Sequence, residues 1–221
     1  ALPVPDKFLP DGTGTSGIRN NLAFESLTVT PSKQYLYTAT EGALFQDGPA
    51  ADVDQESLSR VLQYDQRTKR PGQEFVYIVD PVAEVPDPTN AFRVNGLVEL
   101  LAIDNAGTFL AMERSFSVGK GNTVKLYEIL TQRATDVSGI DDLFDEDTGT
   151  PVEFDPVEKR FLLDFEEDLG VIPDNLEGLA FGPTLPDGRQ SLIVVSDNNF
   201  NPGQVTQFIA LALELATVPN D

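Results

Sequence analysis

The strongest constraint on this chain is a hairpin pattern that it writes three times. The segments are NLAFESLTVTPSKQYLYTATE (Asn21–Glu41), NGLVELLAIDNAGTFLAMER (Asn95–Arg114) and NLEGLAFGPTLPDGRQSLIVVSDN (Asn175–Asn198). Each begins with Asn, reaches a Glu within a few residues (Glu25, Glu99, Glu177) and continues through an apolar run. Each then turns at PSKQ, DNAG or PDGR and closes on a second apolar run that ends in an acid: Glu41, Glu113 or Asp197. Apolar runs joined by such turns are the signature of a β-hairpin. A hairpin cannot bury both of its faces alone, so hairpins repeated about every 75 residues predict a β-propeller with insertions between the repeats. Equivalent positions of successive blades converge on one axis, which would bring the six carboxylates together.

The rest of the chain fits an all-β fold. Short runs rich in Val, Ile, Leu, Tyr and Phe predict strands at Tyr35–Ala39, Phe75–Val79, Leu97–Ile103, Thr108–Glu113, Val124–Leu130, Arg160–Phe165, Leu192–Ser196 and Val205–Leu213. Helical periodicity is weak, and its best instance is a short piece near Val137–Phe144, capped by Asp136 or Ser138. Residues 1–17 are expected to form an extended N-terminal segment and residues 18–216 the propeller domain, or its C-terminal portion. Glu41–Ser57 and Pro81–Asn90 are expected as long loops.

Charge and missing residue types narrow the chemistry. The 221 residues carry 15 basic and 36 acidic side chains, a formal charge of −21. So negative a surface repels nucleic acid and anionic lipid, and no apolar run reaches the roughly 18 residues of a membrane span. The chain contains neither Cys nor His. Disulfides, thiolate zinc sites, cysteine nucleophiles and serine–histidine triads are therefore excluded. Proton transfer would fall to Asp, Glu, Lys or Tyr, and any bound metal would be held by oxygens, as Ca²⁺ or Mg²⁺ is. The sequence shows no initiator Met or signal peptide, as expected of a mature chain or a fragment.

The runs IRNNLAFESLTVTP, NGLVELLAID, MERSFSVGKGNT, TDVSG and NLEGLAFGPTLPDGRQSLIVVSDNNFNP resemble the phytase-like family ("esterase-like activity of phytase") from about Ile18 to Leu213. The resemblance implies a β-propeller, activity on phosphate esters, and an extracellular or periplasmic location. Blades absent from this chain are expected on the same ground. Its matching positions are Glu25, Glu41, Glu99, Glu113, Glu177 and Asp197, with Asn198 beside the last, together with Arg19, Asn21, Asn95 and Arg114. In the first hairpin, Ser32-Lys33 stands where an Asp-Gly turn is expected.

Converging carboxylates raise one another's pKa unless a cation neutralises them. The constellation therefore implies a Ca²⁺ ion held by Glu25, Glu41, Glu99, Glu113, Glu177, Asp197 and Asn198. No organic cofactor is expected. Catalytic roles are expected for Glu25, Glu99, Glu177 and Arg114, in a metal-dependent phosphoesterase whose ion activates a water. The rival is a non-catalytic propeller, with structural calcium, that binds a protein or polymer; a glycosidase using a Glu pair is a third reading. Arg19 and Arg93 are read as ion-pair partners, Ser115–Thr123 as a hairpin turn and Asp142–Gly149 as a solvated acidic loop. In VVSDNNFN, Asn199 and Asn201 are expected as turn residues and Phe200 as a packing anchor.

Overall fold

The computed structural model describes residues 1–145 and 147–214. Glu146 in the acidic loop and residues 215–216 of the expected domain lie outside them. The first sheet contains β1 (Thr28–Val29), β2 (Tyr35–Ala39), β3 (Ser57–Asp65) and β4 (Arg70–Val79) as an antiparallel meander. The second is built from β5 (Arg93–Ala102), β6 (Thr108–Ser117) and β7 (Gly121–Leu130). A two-stranded ribbon follows, β8 (Phe144–Asp145) with β9 (Thr150–Pro151), before β10 (Glu158–Asp164) returns to the edge of the second sheet beside β7. The third sheet is β11 (Leu176–Thr184), β12 (Gln190–Ser196) and β13 (Phe208–Leu213). Helical structure among the described residues is confined to two 3₁₀ turns, Asp6–Phe8 and Phe45–Asp47. None is long and apolar enough to cross a membrane.

The sheets stack face to face. Tyr37, Val61, Phe75 and Tyr77 of the first sheet pack on Leu97, Leu100, Phe109 and Ile129 of the second. On its other face, Val98, Leu110, Met112 and Leu126 of the second sheet meet Leu176, Leu179, Leu192 and Val194 of the third. Each side chain fully buried in this way contributes about 1.5–3 kcal/mol. The first strands of the sheets meet, with β5 touching β1 and β11. Two bonds tie this junction: Ala102 N–H donates to Thr28 Oγ1 (2.9 Å) and Leu97 N–H to the Glu41 carbonyl (2.9 Å).

Several expectations change here. The first 17 residues are not a loose extended arm. They turn at Asp6–Phe8 and bury Phe8 against Leu44, Leu62 and Tyr64 on the outer face of the first sheet. The piece near Val137–Phe144 is not helical. Its carbonyls are taken by distant cations: Arg60 donates to Ile140 O and Asp141 O, and Lys7 Nζ to Ser138 O and Ile140 O. With those acceptors engaged, and Val137 and Leu143 both buried on the first sheet, no α-helical ladder forms. Besides the short β8–β9 ribbon at the expected acidic loop, the unexpected strand is β3, where Arg60 and Gln63 interrupt the apolar pattern. Arg60 is fully buried, paired with Asp47 (2.6 Å) and Glu74 (3.0 Å). In the first hairpin, Lys33 adopts the left-handed φ (+60°) that a glycine would accept more easily.

Phe200 is not a packing anchor: it is fully exposed at φ +52°. Asp197 Oδ1 accepts from Asn199 N–H, and Asn198 Oδ1 from Phe200 N–H, which closes the turn locally and lifts the ring away from the sheet.

Removing Arg60 would leave Asp47 and Glu74 buried and uncompensated. The Arg60→Ala variant is expected to lose about 3–5 kcal/mol of stability in urea denaturation; a loss below about 1 kcal/mol would show that the network is not what holds β3 inside.

Candidate functional site

Each hairpin repeat carries one extra residue beside its first Glu. In the second sheet Leu97 faces Glu113 and Glu99 faces Met112, leaving Val98 unmatched. In the third, Leu176 faces Ser196 and Gly178 faces Val195, leaving Glu177 itself unmatched. In the first, Phe24 bridges Thr40 and Thr28 faces Tyr37, so three residues oppose two. A bulge re-aims the side chains around it and resets which face they occupy. Glu25 precedes its bulge, Glu177 forms one and Glu99 follows one; Glu25 and Glu177 reach Arg114, while Glu99 turns to the amides of Leu100, Leu179 and Leu27.

Glu25, Glu41 and Glu177 gather around Arg114. Arg114 Nη2 lies 3.1 Å from Glu177 Oε1 and 3.8 Å from Glu41 Oε1. Glu25 and Glu177 act on each other and on Arg114 through space. Arg114 stands opposite Gly96 across the β5–β6 ladder, and Glu41 lies over that glycine: a Cβ at position 96 would come within 2.2 Å of Glu41 Cγ. Gly96 is thus required for close approach rather than for an unusual φ. Burial pushes the Glu41 carboxyl up to about 7 against the pull of Arg114, with Glu25 and Glu177 adding to the rise. Glu25 is also raised, by burial and then by Glu177. Glu177 and Glu25 remain reachable by solvent. Arg114 Nε is buried and has no hydrogen-bond partner among the described residues, and neither does Nδ2 of the buried Asn175.

The other expected site residues lie elsewhere. Glu99 is at the junction of the three sheets, where its carboxylate accepts from Leu100 N–H (2.9 Å) and is stabilised by the amides of Leu179 and Leu27. Burial dominates and raises it to about 7. Glu113 is on the opposite face of β6 from Arg114, as strand alternation requires. Tyr77 Oη (2.6 Å), Asn95 Nδ2 (2.9 Å), Asp80 N–H (3.2 Å) and Lys159 Nζ all donate to it. Lys159 also pairs with Asp80 and sits 4.1 Å from the Tyr127 ring centroid. This second cluster is internally satisfied, with only Asp80 partly open to solvent. Asp197 is exposed and Asn198 partly so in their turn, outside both clusters.

The expectation that six carboxylates share one place therefore holds for three: bulges and strand alternation separate the others. Among the described residues no group of three or more acidic side chains is placed to hold a metal ion. The cation among Glu25, Glu41 and Glu177 is the Arg114 guanidinium, so the seven expected Ca²⁺ ligands are not assembled as one donor set. Arg19 donates to Ala43 O and Gly48 O and stacks on Phe45, Asn21 is exposed, and Arg93 pairs with Asp52. Ser115–Thr123 makes the β6–β7 turn through Gly119 and Gly121. The acidic loop turns on Asp145, whose carboxylate accepts from Asp147 N–H. Gly96 was signalled by the NG of the second repeat. Lys159, Tyr77, Asp80 and Tyr127 belong to no motif and emerge only in three dimensions.

These features define an all-β protein of stacked antiparallel meanders, with an arginine–carboxylate cluster where the first strands meet. The family described as "Esterase-like activity of phytase" matches residues 1–200, and the chain belongs to this phytase-like family. No curated protein and no solved structure matches it.

The raised carboxyls carry a pH signature. Glu41 and Glu99 ionise near 7 when folded and near 4.5 as free side chains. Between those values the unfolded chain releases protons that the folded one keeps, so these groups make stability fall as pH rises from about 4.5 to about 7. The Glu41→Gln/Glu99→Gln double variant keeps acceptor oxygens, and its urea midpoint should fall less than the parent's over that window. Equal slopes would refute the assignment.

Proposed function

We propose that this protein hydrolyses phosphate esters at the Arg114 cluster. The observation that carries the reading is a guanidinium with an unpaired buried N–H, set among three carboxylates of which one is raised to about 7. Arg114 steadies the charge that develops on the phosphoryl oxygens. Glu177, held by Arg114, takes a proton from the attacking water. Glu41, about half protonated at neutral pH, supplies one to the leaving oxygen. Glu25 keeps the local field negative enough to hold the Glu41 proton. Glu99, whose carboxylate is engaged by backbone amides, receives a structural role in this proposal. No step runs through calcium, because the donors are not gathered around a common point.

The finer architectural reading is a β-propeller. It is supported by the meander sheets, the meeting of their first strands, and the solvent-facing Phe208, Ala210 and Ala212 on the outer face of the third sheet, which a further sheet would cover. A secreted or periplasmic location belongs to the same proposal through the family. The rival, a non-catalytic binding module with structural calcium, draws on Glu99 and Glu113, which join sheets rather than line an opening.

With bis(p-nitrophenyl) phosphate as substrate, Arg114→Gln is expected to lower kcat/KM by about 10²–10³-fold. Parent activity should decline as pH rises through about 7, where Glu41 loses its proton, and Glu41→Gln should remove that limb. Absence of turnover with and without calcium, alongside a melting temperature raised by calcium, would favour the binding module.

A further inference from the structure

Each sheet ends in an outermost strand whose free edge could pair with another chain, and two of the three are protected. Outside β4, Val137 N–H donates to Glu74 O (2.9 Å) and Val157 N–H to Val76 O (2.9 Å). Strand β10 carries Glu158, Lys159 and Arg160 and is interrupted by a bulge between Phe161 and Leu163. Strand β13 has neither device. Phe208–Leu213 reads FIALAL, without a charge or a proline, and pairs with β12 in unbroken register. Ser196 N–H donates to Gln207 O (3.0 Å), which sets the phase of that ladder. Antiparallel strands alternate bonded and non-bonded pairs, so Ile209, Leu211 and Leu213 bond to β12. Phe208, Ala210 and Ala212 turn their N–H and C=O groups outward, where no other strand or loop among the described residues bonds to them.

The space beside β13 also has room for side chains. In the second sheet the corresponding place, beside β7, is filled by β10, which arrives from further along the chain. Between that part of the second sheet and β13 runs a groove of about 400 Å³, lined by Leu110, Leu126, Leu163 and Leu213. A strand added to β13 would send alternate side chains toward the second sheet, as Ile209, Leu211 and Leu213 already are. Apolar residues at those positions would bury against the leucines of the groove.

Charge decides the occupant. Asp104, Glu128 and Glu214 stand at this groove against Arg160 alone, and Arg160 is already paired with Glu128 (2.7 Å). Arg189, on which Glu214 acts, is held by Asp187 (2.6 Å). A second copy of the chain would bring the same acids to the same edge, with a formal charge of −21 on each side, and is repelled. A basic strand is attracted. We infer that β13 is a docking edge for an extended polypeptide of alternating apolar and basic residues, which joins the third sheet as a fourth strand. Its main chain bonds to Phe208, Ala210 and Ala212, and its apolar side chains enter the groove. Its basic side chains, at the intervening positions, lie in the field of Glu214 and the groove acids. Docking here needs no turnover at Arg114.

The test is backbone amide exchange followed by NMR, with the peptide acetyl-KVKVKVK-amide as ligand. In the free protein the amides of Phe208, Ala210 and Ala212 should exchange at least about tenfold faster than those of Ile209, Leu211 and Leu213. Saturating peptide should slow them to the level of their neighbours. The acidic acetyl-EVEVEVE-amide should bind at least about tenfold more weakly at low salt, a gap that about 0.5 M NaCl narrows. Ala210→Pro removes one outward N–H and no bond to β12, so it should keep the parent's urea midpoint and weaken binding of the basic peptide by at least about tenfold. Should that variant fail to fold, Ala212→Lys, a surface change that places a like charge on the edge, should weaken binding in its stead. Slow exchange at Phe208, Ala210 and Ala212 in the free protein would show that the chain itself or a second copy covers the edge, and would overturn the proposal. Equal binding of the two peptides, or undiminished binding by a folded variant, would overturn it too.

Discussion

The organisation of this protein depends on how three sheets satisfy their backbone where their first strands meet. Such a junction is dry on most sides, and an amide left there without an acceptor costs about 1–3 kcal/mol. Glu99 meets that need from one residue, accepting from Leu100 and lying against the amides of Leu27 and Leu179, one from each sheet. Thr28 Oγ1 and the Glu41 carbonyl accept two more amides from β5. Because this seam brings β5 against the first and third sheets, Glu41, Arg114 and Glu177, which come from different sheets, can touch. The Arg114 cluster thus depends on a carboxylate that lies outside it.

Strand β6 divides the polar interior into two environments that differ in kind. On one face Glu113 is enclosed by Tyr77, Asn95, Asp80 and Lys159, and burial raises its pKa despite Lys159. Every partner is matched, so the cluster acts as a clamp between the first two sheets. On the other face Arg114 is short of acceptors at Nε, and of its carboxylates Glu41 is buried while Glu25 and Glu177 are open to solvent. Matched groups specify a fold, and unmatched ones leave capacity for a ligand. One-residue alternation between Glu113 and Arg114 is enough to separate these roles.

Much of the fold was legible in the residues. Apolar runs between turn clusters located most strands, and the triple hairpin located the three sheets. Strand β3 escaped because its apolar pattern is broken by Arg60, whose charge is tolerable inside only because Asp47 and Glu74, far apart in sequence, reach it. The piece near Val137–Phe144 misled for the same reason: the carbonyls of Ser138, Ile140 and Asp141 serve Arg60 and Lys7 instead of a helical ladder. Exposure of Phe200 reflects a turn closed by Asp197 and Asn198 side chains that resembled ligands.

By itself the sequence determined an all-β chain of repeated hairpins, acidic, lacking Cys and His, with a Glu at the start of each hairpin and an acid at its end. Those properties follow from local periodicity and residue type. Tertiary structure alone decided which acids meet. With a single unmatched residue in each hairpin, Glu25 and Glu177 reach Arg114 while Glu99 serves the sheet junction, and the packing of Glu41 on Gly96 sets it beside Arg114. Backbone register is a property of paired strands, and no single strand carries it in its own residues.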